Sequence, residues 1–263
     1  MPDQILTSAG TKTKEGADFG VVRHFNKFSD EYDDSTEWCS EIALIEPLVG
    51  RLQSRRILDL GSGTGLIAEA SLAHGGRVSG LDLSYPMLQK ARERVGSRVV
   101  QGEAELLPFR SNSIDVVVCR QLLHYTREAE MLCEVARVIR PGGEFRLAQI
   151  TSFDDRDFFF WSAFKAVAQP VRRRYYSPSL LRSIVKACCF DVIATQPYCI
   201  RRHYTIADIF RRSPLPENER SRFLSWLKKE TDALHDVLKP DWNEQGITLN
   251  QFWTTLFSIK RDQ

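Results

Sequence analysis

The chain has 263 residues, 43% hydrophobic and 27% charged, enough to bury one substantial core. Its 36 basic and 34 acidic residues leave a net charge of +2, which argues against a nucleic-acid reader, since those carry a larger basic excess or a basic stripe. Six cysteines without a Cys-x-x-Cys spacing read as reduced core thiols and not as a metal site, and no run has the length or apolarity of a signal peptide or membrane span, so a cytoplasmic protein without metal is expected.

In chain order, residues 1–18 are polar and read as disordered, and 19–49 suggest one or two amphipathic helices. Residues 56–65 read Arg-Ile-Leu-Asp-Leu-Gly-Ser-Gly-Thr-Gly: an apolar run with the composition of a buried parallel strand, then three glycines at alternate positions. Gly61, Gly63 and Gly65 let the backbone turn sharply and leave bare main chain for a nucleotide-type ligand. The spacing departs from the dinucleotide fingerprint, whose third glycine would stand at Leu66. Asp59, two residues before the first glycine, would repel a phosphate and suits a ligand that carries cations.

A second strand-like run from Arg77 ends in Asp82, 21 residues after the first glycine. An acid at that separation sits at a strand tip and accepts both hydroxyls of a ribose. A third strand begins at Val99; Glu103 follows it and is placed to receive the amino group of an adenine, ahead of an apolar turn closed by Pro108 and Phe109. The fourth strand starts at Ile114 and leads to His124 and Tyr125. Helices of about ten residues are expected at 66–73, 86–94 and 127–139, the last stopped by Pro141 and Gly142 before a fifth strand over 144–150.

Residues 152–176 hold Phe158-Phe-Phe-Trp and Arg172-Arg-Arg-Tyr-Tyr, too long and too aromatic for a plain connector, and are expected to wall a substrate pocket. Ser177-Pro-Ser marks a helix start, 190–196 a sixth strand, 205–246 a set of late helices, and 251–260 an antiparallel final strand.

This order of motifs resembles the class I S-adenosylmethionine-dependent methyltransferases, and more narrowly the small-molecule branch that includes ubiquinone, menaquinone and biotin-pathway enzymes and natural-product tailoring enzymes. The resemblance covers residues 20–200 and departs from the family at Glu103, where Asp is commoner. It implies a Rossmann-like, doubly wound seven-stranded α/β sheet with an antiparallel last strand, in one domain over 19–263, with N-terminal helices over the cofactor and 152–176 and 205–246 as substrate-covering insertions. The implied cofactor is S-adenosylmethionine, whose ammonium and sulfonium suit Asp59. Its implied contacts are Tyr32, Asp59, Gly61, Ser62, Gly63, Gly65, Asp82, Leu83, Glu103, Ala104 and Arg120.

His124 is read either as a base acting on the acceptor or as a packed structural histidine. Tyr32 either closes over the methionyl part of the cofactor or makes a plain aromatic helix contact. Phe159, Arg174, Tyr175 and Tyr176 are candidates for gripping an acidic or aromatic substrate, the alternative for the arginines being a solvated basic helix face. The implied activity is methyl transfer to oxygen or nitrogen of a small aromatic or apolar metabolite; a cofactor-binding cyclase or scaffold, and an RNA methyltransferase, are the competing readings.

Overall fold

The computed structural model describes residues 19–33, 37–211 and 213–262, so the reading of residues 1–18 lies outside the described residues. The described residues begin with α1 (Phe19–Phe28), a 3-10 turn at Glu37–Ser40 and α2 (Ile42–Val49). Strands and helices then alternate: β1 (Arg56–Leu60), α3 (Leu66–Ala73), β2 (Arg77–Asp82), α4 (Tyr85–Val95), β3 (Val99–Gln101), β4 (Ile114–Arg120), α5 (Glu128–Val138) and β5 (Ile139–Thr151). The remainder is α6 (Phe158–Ala168), α7 (Pro178–Ala187), β6 (Phe190–Thr205), α8 (Ile206–Phe210), α9 (Glu217–Ala233), α10 (His235–Leu238), β7 (Asp241–Trp242) and β8 (Gly246–Lys260).

The strand order is 3-2-1-4-5-8-6, and β7 pairs antiparallel with β8. Strands β1 to β5 pair parallel with one another, which places the ends of β1, β2 and β4 at one edge. This is the doubly wound α/β sheet expected, with eight strands in place of seven because the two-residue β7 joins it.

Two boundaries differ from expectation for physical reasons. Pro141 and Gly142 do not precede the fifth strand but lie inside it, where a register shift opposite Ile114 and Val116 and a φ of +67° at Gly142 accommodate a proline that cannot donate to the ladder. β6 runs on past Pro197, because it is the last strand in the order and an edge strand tolerates proline.

The described residues divide into two compact units, one of those from 19 to 149 with 184–195 and 255–262, the other of those in 150–183 and 196–254. Both expected insertions fall in the second.

In the first unit, Ile57, Val78, Val116 and Val118 of the sheet pack with Ile67 and Ala68 of α3, Leu88, Ala91 and Val95 of α4, and Leu48 and Val49 of α2. Each large aliphatic side chain fully buried this way stabilises the fold by about 1.5–3 kcal/mol. Arg146, 5% exposed, donates to the carbonyls of Leu48 and Gly50 at 2.8 and 2.7 Å, so it satisfies the end of α2 and fixes that helix on the sheet.

At the opposite edge from the strand tips, Asp115 accepts from the Arg56 amide at 2.7 Å, the Arg56 guanidinium at 2.9 and 3.0 Å and Arg140 at 2.7 Å. Burial opposes ionisation of Asp115, but the Arg56 and Arg140 hydrogen bonds win and hold the carboxyl well below the usual range. Asp115→Ala should cost about 3 kcal/mol, because two guanidinium groups and an amide lose their acceptor together. The folded value is depressed, so this stability is present above about pH 4 and lost as pH falls toward the folded value. Denaturant titrations at neutral and acid pH check this, and a variant that matches wild type at neutral pH would refute it.

In the second unit, Phe160 stacks on Phe164 and Trp226 at 6.0 and 5.9 Å, and α6 packs on α8. Asp157, fully buried before α6, accepts from the amides of Phe153 and Asp154 at 2.9 and 3.0 Å and so closes the loop that leads into the helix.

Candidate functional site

β1 delivers its acid and its glycine turn to the edge where β2 and β4 also end. The amides of Gly61 and Ser62 both donate to the Leu81 carbonyl, at 2.8 and 2.9 Å, which folds the turn back against β2. All three glycines have positive φ, yet they differ in what surrounds them. A Cβ at Gly61 would lie 3.0 Å from the Leu122 side chain, and one at Gly65 would lie 3.1 Å from the Ala91 backbone, so these two are needed for packing. A Cβ at Gly63 would meet no atom within 4 Å. Gly63 instead borders the cleft.

That cleft is lined by Tyr32, Asp59, Gly61, Ser62, Gly63 and Arg120, six of the residues singled out in the sequence. Asp59 is 2% exposed; the Ala68 amide near the start of α3 donates to its carboxylate, while Oδ2 has no partner. Burial pushes its carboxyl up to about 7, against the pull of Arg120. Ser62 Oγ, also buried, has no partner either. Two buried acceptors beside a cradle of bare backbone fit a ligand that bears donors and positive charge.

Asp82 stands at the tip of β2, where one carboxylate oxygen accepts from the Gly63 amide at 2.9 Å and the other from the Ser84 amide at 2.8 Å. It thus ties the glycine turn to the start of α4. The Leu83 amide also donates to this carboxylate, whose two oxygens together offer about four acceptor sites, so capacity remains for a ligand. Arg120 at the end of β4 donates to the Cys39 carbonyl at 2.9 Å, and its guanidinium lies 5.4 Å from the Trp38 ring. Leu83 and Ala104 follow β2 and β3; Ala104 is buried and Glu103 half-buried, and the Gly102 amide donates to the Asp82 carbonyl at 3.1 Å, so this corner is held beside Asp82.

The N-terminal segment is pinned to the same turn. Asp33 accepts from Thr64 Oγ1 and from Arg94, each at 2.7 Å, and Ser84 Oγ donates to Asn26 Oδ1 at 2.7 Å. Phe25 meets Tyr32 and Tyr125 edge-on at 6.1 and 5.1 Å. Tyr125 in turn contacts the His124 ring, with centroids 3.9 Å apart.

His124 lies in a 3-10 turn after β4, is 1% exposed, and its Nδ1 is 2.6 Å from Nε2 of the fully buried Gln149. Cys119, buried in β4, is no nucleophile: burial pushes its thiol up to about 12. Among the second unit's expected substrate residues, Tyr175 and Tyr176 are buried, whereas Phe159 is 78% exposed and Arg174 is exposed. The cleft residues that sequence reasoning missed are Trp38, Cys39, Thr64, Leu66 and Ile67.

Residues 58–147 match the family model described as a methyltransferase domain, a stretch that begins in β1 and ends in β5. The uncharacterized methyltransferase Rv3342 of Mycobacterium tuberculosis is 31% identical over 162 residues, 56% of this chain and 66% of that protein. A ubiquinone biosynthesis O-methyltransferase of Cupriavidus pinatubonensis is 27% identical over 164 residues, 57% of this chain and 66% of its own length. The chain therefore spans just under two thirds of these relatives. A solved chain from Bacillus halodurans aligns over its whole length and 85% of this one with a TM-score of 0.71 at 20% identity, a likeness of fold. The glycine turn between β1 and α3, the acids before it and at the tip of β2, and the matched segment that contains them agree in one conclusion: residues 58–147 form a methyltransferase domain of the class I S-adenosylmethionine-dependent type.

Proposed function

We propose that this protein transfers the methyl group of S-adenosylmethionine to an oxygen or nitrogen atom of a small aromatic or apolar metabolite. The observation that carries the proposal is the cleft in which Asp59 Oδ2 and Ser62 Oγ stand buried and unpartnered beside the open face of Gly63. When bound, the cofactor supplies a methyl group made electrophilic by a sulfonium. Asp59 faces the cationic methionyl end, Arg120 its carboxylate, and Asp82 the ribose hydroxyls, while Glu103 and Ala104 take the adenine edge. His124 takes the acceptor's proton where the acceptor is not already ionised.

Incubation with methyl-labelled cofactor and a panel of phenols, carboxylic acids and amines tests this. Label should enter the small-molecule fraction together with S-adenosylhomocysteine. Tight cofactor binding without transfer would favour a cyclase or scaffold, and label in RNA would favour a macromolecular substrate; either overturns the proposal.

Two predictions concern affinity. Asp82→Ala removes the acceptor for both ribose hydroxyls and loosens the Gly63 and Ser84 amides, so cofactor binding should weaken by about 2 kcal/mol, roughly thirtyfold. A dissociation constant within twofold of wild type would sink the ribose assignment.

The second is a pH dependence. The Asp59 carboxyl, held near 7 by burial, ionises more readily once a cation lies beside it, so binding should release a proton and tighten as pH rises from about 6 to about 8. The same raised value makes the ligand-free fold lose stability as pH rises from about 4 through 7, because the native state holds a proton that the unfolded state releases. Asp59→Asn should flatten both profiles, as read by calorimetry and thermal unfolding.

A further inference from the structure

The cleft beside the glycine turn has two walls, and they are held in different ways. The strand side is fixed: the amides of Gly61 and Ser62 donate to the Leu81 carbonyl, and neither Gly61 nor Gly65 has room for a Cβ without pressing on Leu122 or Ala91. The other wall includes Tyr32, which is carried by a strap made of α1 and residues 29–33. Among the described side chains of residues 20–33, Val21 is the one buried apolar group. Apolar burial therefore holds the strap weakly, and polar contacts to the turn and to α4 supply much of its hold.

Those contacts converge on Asp33. Thr64, which stands between Gly63 and Gly65 and is buried, donates to Oδ1 at 2.7 Å, and Arg94 of α4 donates to Oδ2 at 2.7 Å. Lighter pins lie along the strap, where Ser84 Oγ donates to Asn26 Oδ1 at 2.7 Å and Lys90 to the Asp30 carbonyl at 3.1 Å. The Asp33 and Arg94 side chains are 31% and 29% exposed, so their pairing competes with water and opens at small cost. Arg94 also reaches Glu69 of α3 at 3.3 Å, a partner that stays with it when Asp33 departs. The space between the walls is about 40 Å³, whereas a pocket for a ligand of nucleotide size needs about 300 Å³ or more. The strap is the wall that can yield.

We infer that Asp33 is a latch: its pairing with Thr64 and Arg94 holds the strap across the cleft, and its release limits the rate at which S-adenosylmethionine enters and leaves. The inference rests on the proposed cofactor site and adds how that site opens. A latch that is made alike with and without ligand cancels from the affinity. It shows only in the rates, because the opening step is common to entry and escape.

Stopped-flow binding of S-adenosylmethionine to the full chain tests this, followed by tryptophan fluorescence because Trp38 lines the cleft. Asp33→Ala should raise the association and dissociation rates together by about tenfold, with Kd within about threefold of wild type. Asn26→Ala, which loses only the Ser84 bond, should raise both by a smaller factor. Association with wild type should quicken as salt rises from about 0.05 to about 0.5 M, and Asp33→Asn should lose that dependence. An association rate unchanged by Asp33→Ala, or an affinity weakened through dissociation alone, would overturn the inference and leave Asp33 a support of the turn. Saturable wild-type binding with unaltered rates in the variants strikes the latch and spares the cofactor site; no saturable binding to wild type overturns both. Should Asp33→Ala fail to fold, Asp33→Asn and Asn26→Ala decide.

Discussion

Gly63→Val should eliminate S-adenosylmethionine binding while leaving the sheet folded. Gly63 is the member of the glycine turn whose Cβ would meet nothing of the protein, and it lines the cleft, so the new side chain should occupy ligand space. Excluding the methionyl group from its seat should weaken binding by about 3 kcal/mol or more, at least a hundredfold in Kd. The φ of +53° adds a local strain of about 1–2 kcal/mol, which lowers the melting temperature without abolishing folding. Gly61→Val is the contrasting control: its Cβ would press on Leu122 at 3.0 Å, so stability should fall before affinity can be measured. Undiminished cofactor binding to the Gly63 variant in calorimetry would refute the placement of the ligand.

The contrast between the two glycines marks how far sequence reading reaches. A strand that ends in three alternating glycines, with one acid before them and another 21 residues on, is legible because the chemistry resides in side-chain type and spacing. The sheet brings those positions together because β1 and β2 are parallel and in register, Asp59 opposite Gly80 and Leu60 opposite Leu81. Trp38 and Cys39 escaped notice because Cys39 contributes its backbone carbonyl to Arg120, a group every residue possesses. The polar pins from Asn26 and Asp33 were likewise hidden, since each joins residues at least 31 apart in a chain with many similar side chains. Lys165 looks like any lysine in sequence; only the packing of α6 shows it enclosed by rings. The extent of β6 was not legible because a proline interrupts it, a feature that means a strand end in a central strand but not at an edge.

His124→Gln should reduce turnover by about a hundredfold or more while cofactor affinity stays near that of wild type. The histidine sits at the outlet of β4, the same sheet edge at which β1 presents the glycine turn, and it is held by Gln149 on Nδ1 and by the Tyr125 ring. Gln149 sets what the ring can do. With Gln149 Nε2 donating to Nδ1 the ring proton lies on Nε2, and a turn of the amide that sets its oxygen against Nδ1 moves the proton to Nδ1 and makes Nε2 the basic nitrogen. Gln149→Leu should therefore lower turnover by shifting the tautomer balance, with the acid limb of kcat/KM altered and cofactor affinity preserved. Glutamine at position 124 retains hydrogen bonding but has no basic nitrogen, so its loss should be greatest for neutral hydroxyl acceptors and least for acceptors that arrive ionised. Turnover that is unchanged for all acceptors between about pH 6 and 9 would mean that positioning alone carries the reaction. Loss of cofactor binding in the same variant would instead make the histidine a structural support of the cleft.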